Sequence, residues 1–139
     1  MHKHPLFILW FMLLVMIAVL HASAIEFYLY WTYSWFDTMM HFLGGLLVGL
    51  ASLWLFFESG YICVARSLTK TLLVAGGAIV IVGVGWEVFE VLAGIPIENN
   101  YVLDTTTDLA MDALGTIFAV IFFTTIYGSN QNGTKYGTK

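Results

Sequence analysis

Residues 104–127 have the sequence DTTTDLAMDALGTIFAVIFFTTIY, in which three aspartates spaced four residues apart precede an almost uninterrupted apolar run. The stretch has about the 20 residues that a helix needs to cross the hydrocarbon core of a bilayer. Ionisable side chains are costly inside a membrane and usually mark a functional site. The stretch therefore predicts a membrane-spanning helix with acidic residues at its N-terminal end.

The composition extends this prediction to the whole chain. Of 139 residues, 60% are hydrophobic and 10% are charged. In soluble domains about half of the residues are hydrophobic and about a quarter are charged. Four apolar blocks each approach the length of one membrane span: residues 5–25, 36–57, 71–93 and 107–127. We therefore expect an all-α fold, a four-transmembrane-helix bundle formed by residues 1–127 as one domain. Residues 128–139 are polar and are expected to form a disordered tail.

The basic residues indicate the orientation. All five lie on the side of the membrane that the N-terminus, the second loop and the C-terminus share: Lys3, Arg66, Lys70, Lys135 and Lys139. Because positive charges favour the cytoplasmic side, both termini are expected to be cytoplasmic, in a multi-pass protein of the plasma membrane. No basic cluster indicates a nucleic-acid partner. The single cysteine, Cys63, excludes an intrachain disulfide.

The first block has a second interpretation. Residues 6–20 followed by Ala22, Ser23 and Ala24 also fit a signal-peptide core with its cleavage site. The segment before this core carries one lysine, which favours a retained helix.

Small residues predict close contacts between the helices. Gly45 and Gly49 lie four apart in the second block, and Gly115 and Ala119 do so in the fourth. Such spacing lets helices approach closely in lipid. The third block carries further glycines: Gly76, Gly77, Gly83 and Gly85.

Two of the acids have a local explanation. Thr105 followed by Asp108 fits the [ST]-x-x-[DE] capping box, and so does Ser34 followed by Asp37. Helix capping would therefore account for Asp37 and Asp108 without any functional site.

Capping does not explain the next layer of polar residues. His41 and Asp112 each lie one turn deeper than the preceding aspartate, and Glu87 and Glu90 lie at the end of the third helix, where the helix dipole disfavours anions. No lysine or arginine is expected at that depth. A bound divalent ion such as Zn, Mn or Fe would compensate these acids, and a network of neutral carboxylic acids is the alternative.

The predicted metal site comprises Asp37, His41, Glu87, Glu90, Asp108 and Asp112. His21 either joins it or is an ordinary interfacial histidine.

The order of these residues resembles the VanZ-like and YjdF-like families of small polytopic membrane proteins. The resemblance covers roughly residues 37–115 and rests on Asp37, His41, Gly44, Gly45, Trp86, Glu87, Glu90, Asp104, Asp108 and Gly115. VanZ-like sequences usually carry a lysine where this chain has Thr38, a glutamine near Glu90 and an asparagine near Asp112. The YjdF-like pattern is the better match, and it implies a polytopic membrane protein without a defined activity.

Three functions remain open at this stage. The first is a metal site that acts on an envelope lipid or another amphiphile, with Glu90 as the candidate general base. The second is a component of a proton- or ion-coupled transporter. The third is a structural or assembly subunit of a membrane complex. The expected partners are membrane lipid and either a second copy of the chain or another membrane protein.

Overall fold

The computed structural model describes residues 5–62, 64–94 and 100–128, and within these ranges all regular structure is helical. The predicted loop residue Cys63 and tail residues 129–139 lie outside the described residues. The helices are α1 (Pro5–Glu26), α2 (Leu29–Thr32), α3 (Ser34–Phe57), α4 (Leu68–Ala93) and α5 (Tyr101–Tyr127). All except α2 are long and apolar enough to cross a membrane. The predicted all-α fold with four candidate spans is confirmed.

The predicted capping box at Thr105 is wrong. Helix α5 begins at Tyr101, six residues before the predicted start, because the Asn100 side chain accepts a hydrogen bond from the Leu103 backbone N–H at 3.3 Å. Thr105 therefore lies inside the helix. Helix α3 begins at Ser34, and its cap residue, Tyr33, makes no capping hydrogen bond through its side chain. Capping consequently gives no reason for an aspartate at position 108, two turns inside α5.

The closest helix contact joins α3 and α5. A Cβ on Gly45 would overlap the backbone carbonyl of Asp112, and one on Gly115 would overlap the carbonyl of Phe42. The Thr116 hydroxyl donates to the Gly45 carbonyl oxygen at 3.0 Å. The predicted close approach at these glycines is confirmed, because only residues without a Cβ allow the two backbones to meet.

The same contact continues one turn further along both helices. A Cβ on Gly49 would lie 2.6 Å from that of Ala119. Because contacts advance in the same direction on both helices, α3 and α5 are parallel. The close contact predicted at the glycines of the third block is not found at three of them. A Cβ on Gly76, Gly77 or Gly85 would meet nothing within 4 Å. A side chain at any of these three positions would therefore meet no neighbouring helix in the described part of the chain.

An apolar core fills the half of the bundle opposite the acids. Its buried members are Leu6, Leu50, Leu53, Ala75, Ala119, Val120 and Phe123. At this end the Arg66 guanidinium forms an ion pair with Glu58. It also lies 5.9 Å from the ring centre of Phe123 and 5.5 Å from that of Tyr127. This ion pair lies at the apolar end of the bundle, away from the aspartates of α3 and α5.

Helix α1 packs against α3 and α2, and in the described ranges no Cα atom of α1 lies within 8 Å of a Cα atom of α4. Its start is held by aromatic rings, with Trp10 5.6 Å from Trp54 of α3 between ring centres. Further along, α1 and α4 lie on either side of α3 and leave a cleft between them. His41 and Asp112 lie in the wall of this cleft.

Candidate functional site

Three potential metal ligands converge at the N-terminal ends of α3 and α5. One ligand atom each from Asp37, His41 and Asp108 lie within 4.8 Å of one another. Asp37 and His41 are one turn apart on α3, and Asp108 faces them because α5 packs parallel to α3. His41 is 7% exposed and Asp108 3%. Side chains so deeply buried are charged only when a partner or an ion compensates them.

The two ring nitrogens of His41 face different aspartates. Nε2 lies 3.9 Å from Asp108 Oδ2, and Nδ1 lies 3.5 Å from Asp112 Oδ1. In metal sites a ligating histidine usually directs its second nitrogen to a carboxylate, which fixes the orientation of the ring. The geometry around His41 matches this pattern, with Asp112 on the side away from the three-ligand group.

Glycines on two helices make room for the Asp112 carboxylate. A Cβ on Gly83 of α4 would lie 2.8 Å from Asp112 Oδ2, and one on Gly44 of α3 would lie 3.9 Å from Oδ1. Gly83 was predicted to lie at a contact between helices. Its observed role is to let a buried carboxylate fit against α4.

The two glutamates of α4 have different surroundings. Glu87 is 6% exposed, and its Oε1 has no hydrogen-bond partner among the described residues. Glu90 is half-buried, and its Oε1 accepts a hydrogen bond from Trp86 Nε1 at 2.9 Å. Neither glutamate belongs to the three-ligand group, and Asp112 also lies outside it. A buried oxygen without a partner is rare in native proteins and points to a missing proton, water or ion.

The site separates two cavities of different character. One, of about 270 Å³, lies between the first turns of α3 and α5 and includes Asp37, Asp104 and Asp108 in its wall. The other, of about 310 Å³, lies between α1, α3 and α4 and has a mostly apolar wall, with His41 and Asp112 at its polar end. His41 therefore lies between a polar cavity with three aspartates in its wall and an apolar cleft.

A histidine–tyrosine pair was missed by sequence reasoning. The Tyr30 hydroxyl lies 2.8 Å from His21 Nδ1, and both residues line the apolar cleft. Burial raises the pKa of Tyr30 to about 12, and the charges of Asp37 and Glu90 act in the same direction. The hydroxyl therefore stays protonated at neutral pH. The sequence left the role of His21 open, and no pattern linked it to Tyr30, because the pair depends on the turn between α1 and α2.

Chemically, the three-ligand group provides two carboxylates and one imidazole. This donor set suits Zn, Mn or Fe, and three protein ligands leave coordination positions for water or substrate. The described residues that carry a fixed positive charge, Arg66 and Lys70, precede or begin α4, at the opposite end of the bundle. No basic side chain in the described ranges therefore competes with an ion at the site.

Comparison with known proteins places the chain in a family. A family model described as a predicted membrane protein, DUF2238, matches residues 2–129. No curated protein and no solved structure matches the sequence significantly. Since the family model spans nearly the whole chain, this protein belongs to the DUF2238 family of predicted membrane proteins.

Proposed function

We propose that the chain binds a divalent cation, Zn, Mn or Fe, through Asp37, His41 and Asp108, and uses it to act on an envelope lipid or another amphiphile. The observation that carries this proposal is the approach of three ligand atoms to within 4.8 Å, two of them on buried side chains. Two carboxylates and one imidazole from two helices are a donor set that helix bundles use for metal centres.

The charges around the group support a cation as its occupant. Asp112 and Glu87 are also buried beside the site, and one Glu87 oxygen lacks a hydrogen-bond partner in the described part of the chain. His41, if protonated, supplies at most one positive charge. A divalent ion would compensate two carboxylates at once and restore favourable electrostatics in a region of low dielectric constant.

A bound ion would also provide chemistry. It can activate a water molecule in an open coordination position or polarise a phosphoryl or carbonyl oxygen of a substrate. Glu90, which is oriented by Trp86, is the candidate general base. Asp112 would orient His41 through its second nitrogen, and Glu87 would accept a hydrogen bond from the bound water or substrate.

We further propose that the membrane is the plasma membrane, that both termini face the cytoplasm, and that the relationship to YjdF-like proteins holds. The support is the one-sided placement of the five basic residues and the motif order given above.

The test is metal analysis of protein purified without chelator or affinity metal, with Asp108→Asn and His41→Ala as variants. Wild type should carry close to one ion per chain, and both variants should lose it. Asp104→Asn is the matched control, because Asp104 lies in the same polar cavity but outside the three-ligand group. This variant should retain the ion.

Thermal unfolding provides an independent measurement. Ion binding stabilises the folded state by about 2.7 kcal/mol when the free ion is about 100 times its Kd. A chelator should therefore lower the melting temperature of wild type and leave that of Asp108→Asn nearly unchanged. Metal-free wild type whose melting temperature does not respond to added divalent ions would instead favour a network of neutral acids that orients the helices.

A further inference from the structure

The aliphatic part of the cleft of about 310 Å³ provides none of the three candidate metal ligands, and its wall indicates what it can hold. Each of the three helices around it contributes aliphatic side chains: Leu14, Ile17, Met40, Val48, Ile79 and Val82. Water in such a cleft would find few hydrogen-bond partners, so an apolar occupant is favoured. The volume lies near the lower end of the range for small-molecule pockets, about 300–1,000 Å³.

Two of the helices that line the cleft are widely separated and expose residues of its wall on the surface of the bundle. The two walls of the cleft belong to α1 and α4, two candidate membrane spans whose Cα atoms all lie more than 8 Å apart in the described part of the chain. The side chains of Leu14 and Val82 on these walls are 39% and 48% exposed. In a bilayer the surroundings at this level are hydrocarbon, so a lipid chain can enter sideways.

One end of the cleft is polar and lies beside the candidate metal site. His41 and Asp112 form part of its wall, and the hydrogen-bonded pair of His21 and Tyr30 completes it. A mostly apolar pocket with a few convergent polar groups is typical of a ligand site. Here the polar groups would face the head of an amphiphile whose chain fills the apolar part.

We propose that this cleft binds a single hydrocarbon chain of a membrane lipid, which enters between α1 and α4 and presents its polar head to His41 and Tyr30. The inference rests on the proposed function for what happens to the head, and it adds the source and the route of the substrate. A helix from a second copy does not fit. A cylinder about 10 Å wide would fill this volume within about 4 Å of its length, less than one helical turn.

The experiment uses the full chain in nanodiscs of a phospholipid with a photoreactive diazirine on one acyl chain, followed by mass spectrometry of the labelled peptides. Label is expected at Leu14, Val48 and Val82. Val82→Trp should fill the cleft and lower labelling at Leu14 and Val48 at least about tenfold, the loss expected when roughly two buried methylenes are excluded. Leu14→Trp fills it from the opposite wall, in case the first variant does not fold.

Val84→Trp is the matched control, because Val84 is on the same helix and 47% exposed, yet outside the cleft wall. It should label like wild type. Equal labelling of Val82→Trp and wild type, or label spread evenly over outward residues such as Val80, would overturn the proposal.

The metal proposal and the lipid-cleft proposal can be refuted independently of each other. Val82→Trp should keep its ion, since Val82 is not one of the three candidate ligands. Asp108→Asn should lose its ion and still label at Leu14. If wild type carries no ion but labels in the cleft, the lipid site stands and the proposed metal function fails. If it carries the ion but does not label there, the metal proposal stands and the cleft assignment fails.

Discussion

Replacing Gly115 by alanine should damage the candidate site from a distance, because this glycine sets the separation of α3 and α5. The added Cβ would lie 2.7 Å from the Leu46 backbone nitrogen, whereas ordinary van der Waals contacts begin near 3.4 Å. The obstructing atoms belong to backbone, which cannot turn aside as a side chain can. The two helices must therefore separate at this level by at least about 0.7 Å to clear the Leu46 nitrogen, and by more to clear the Phe42 carbonyl oxygen.

Such a separation has a cost in packing and a cost in ligand geometry. Overpacked interiors usually lose about 1–3 kcal/mol, and a gap of this size forfeits a quarter to a half of the dispersion energy of the contacts that open. Asp108 lies two turns from Gly115 on α5, so its 3.9 Å distance to His41 should lengthen as well. Metal ligands tolerate displacements of only about 0.2 Å.

The assay is reversible unfolding in mixed micelles together with calorimetric titration of a divalent ion. Gly115→Ala should be less stable by about 1–3 kcal/mol and should bind the ion at least about tenfold more weakly, a loss of about 1.4 kcal/mol. Gly77→Ala is the control, because a Cβ there would meet nothing within 4 Å. Alanine at that position should leave ion binding unchanged and favour the helix by up to about 1 kcal/mol.

The reasoning would be refuted by a Gly115→Ala protein that unfolds and binds the ion as wild type does. It would also be refuted if Gly77→Ala weakened ion binding as strongly, because the effect would then come from any added methyl group rather than from the contact between α3 and α5.

Three further predictions concern topology, transport and pH. A reporter cysteine at Asn100, in a chain lacking Cys63, should react with an impermeant reagent from the external side; reaction from the cytoplasmic side alone would invert the predicted orientation. Reconstituted vesicles should show no proton or cation flux, because the half of the bundle opposite the site is an apolar core; a flux abolished by Glu87→Gln would contradict this. The pKa of Tyr30 is raised from 10 to about 12 in the folded protein. The stability that the protonated Tyr30 hydroxyl contributes is therefore complete below about pH 10 and is lost as the pH rises toward 12. Tyr30→Phe should melt with less alkaline sensitivity over that interval than wild type, and an identical alkaline loss in both proteins would assign it to another group.

The number of candidate membrane spans and the residue types of the candidate metal ligands could be predicted from the sequence, because both depend on local properties. A run of about 20 apolar residues spans the hydrocarbon core whatever it packs against. The spacing of four between Asp37 and His41 places both on one face of any helix. The small residues Gly45 and Gly115 likewise indicated a close helix contact, and the structure confirms it.

Local reasoning was wrong where a competing cap was overlooked. Thr105 and Asp108 fit a capping box, but Asn100 begins α5 earlier, which leaves Asp108 two turns inside the helix. A capping motif describes only a few residues, and either start was compatible with the local sequence. The extra turns of α5 change Asp108 from a cap into a buried carboxylate, and this is the reason that it requires compensation.

Only the tertiary structure decided which acids meet His41. The sequence placed six candidates in two layers at one end of the bundle, yet the direction and separation of α3 and α5 put Asp108 and Asp112 on opposite ring nitrogens. The cleft between α1 and α4 and the pairing of His21 with Tyr30 were likewise invisible in the sequence. Each of these features depends on how far one helix stands from another. That distance is set by contacts between residues far apart in the chain, such as the Thr116 hydroxyl on the Gly45 carbonyl, and no spacing along a single helix encodes it.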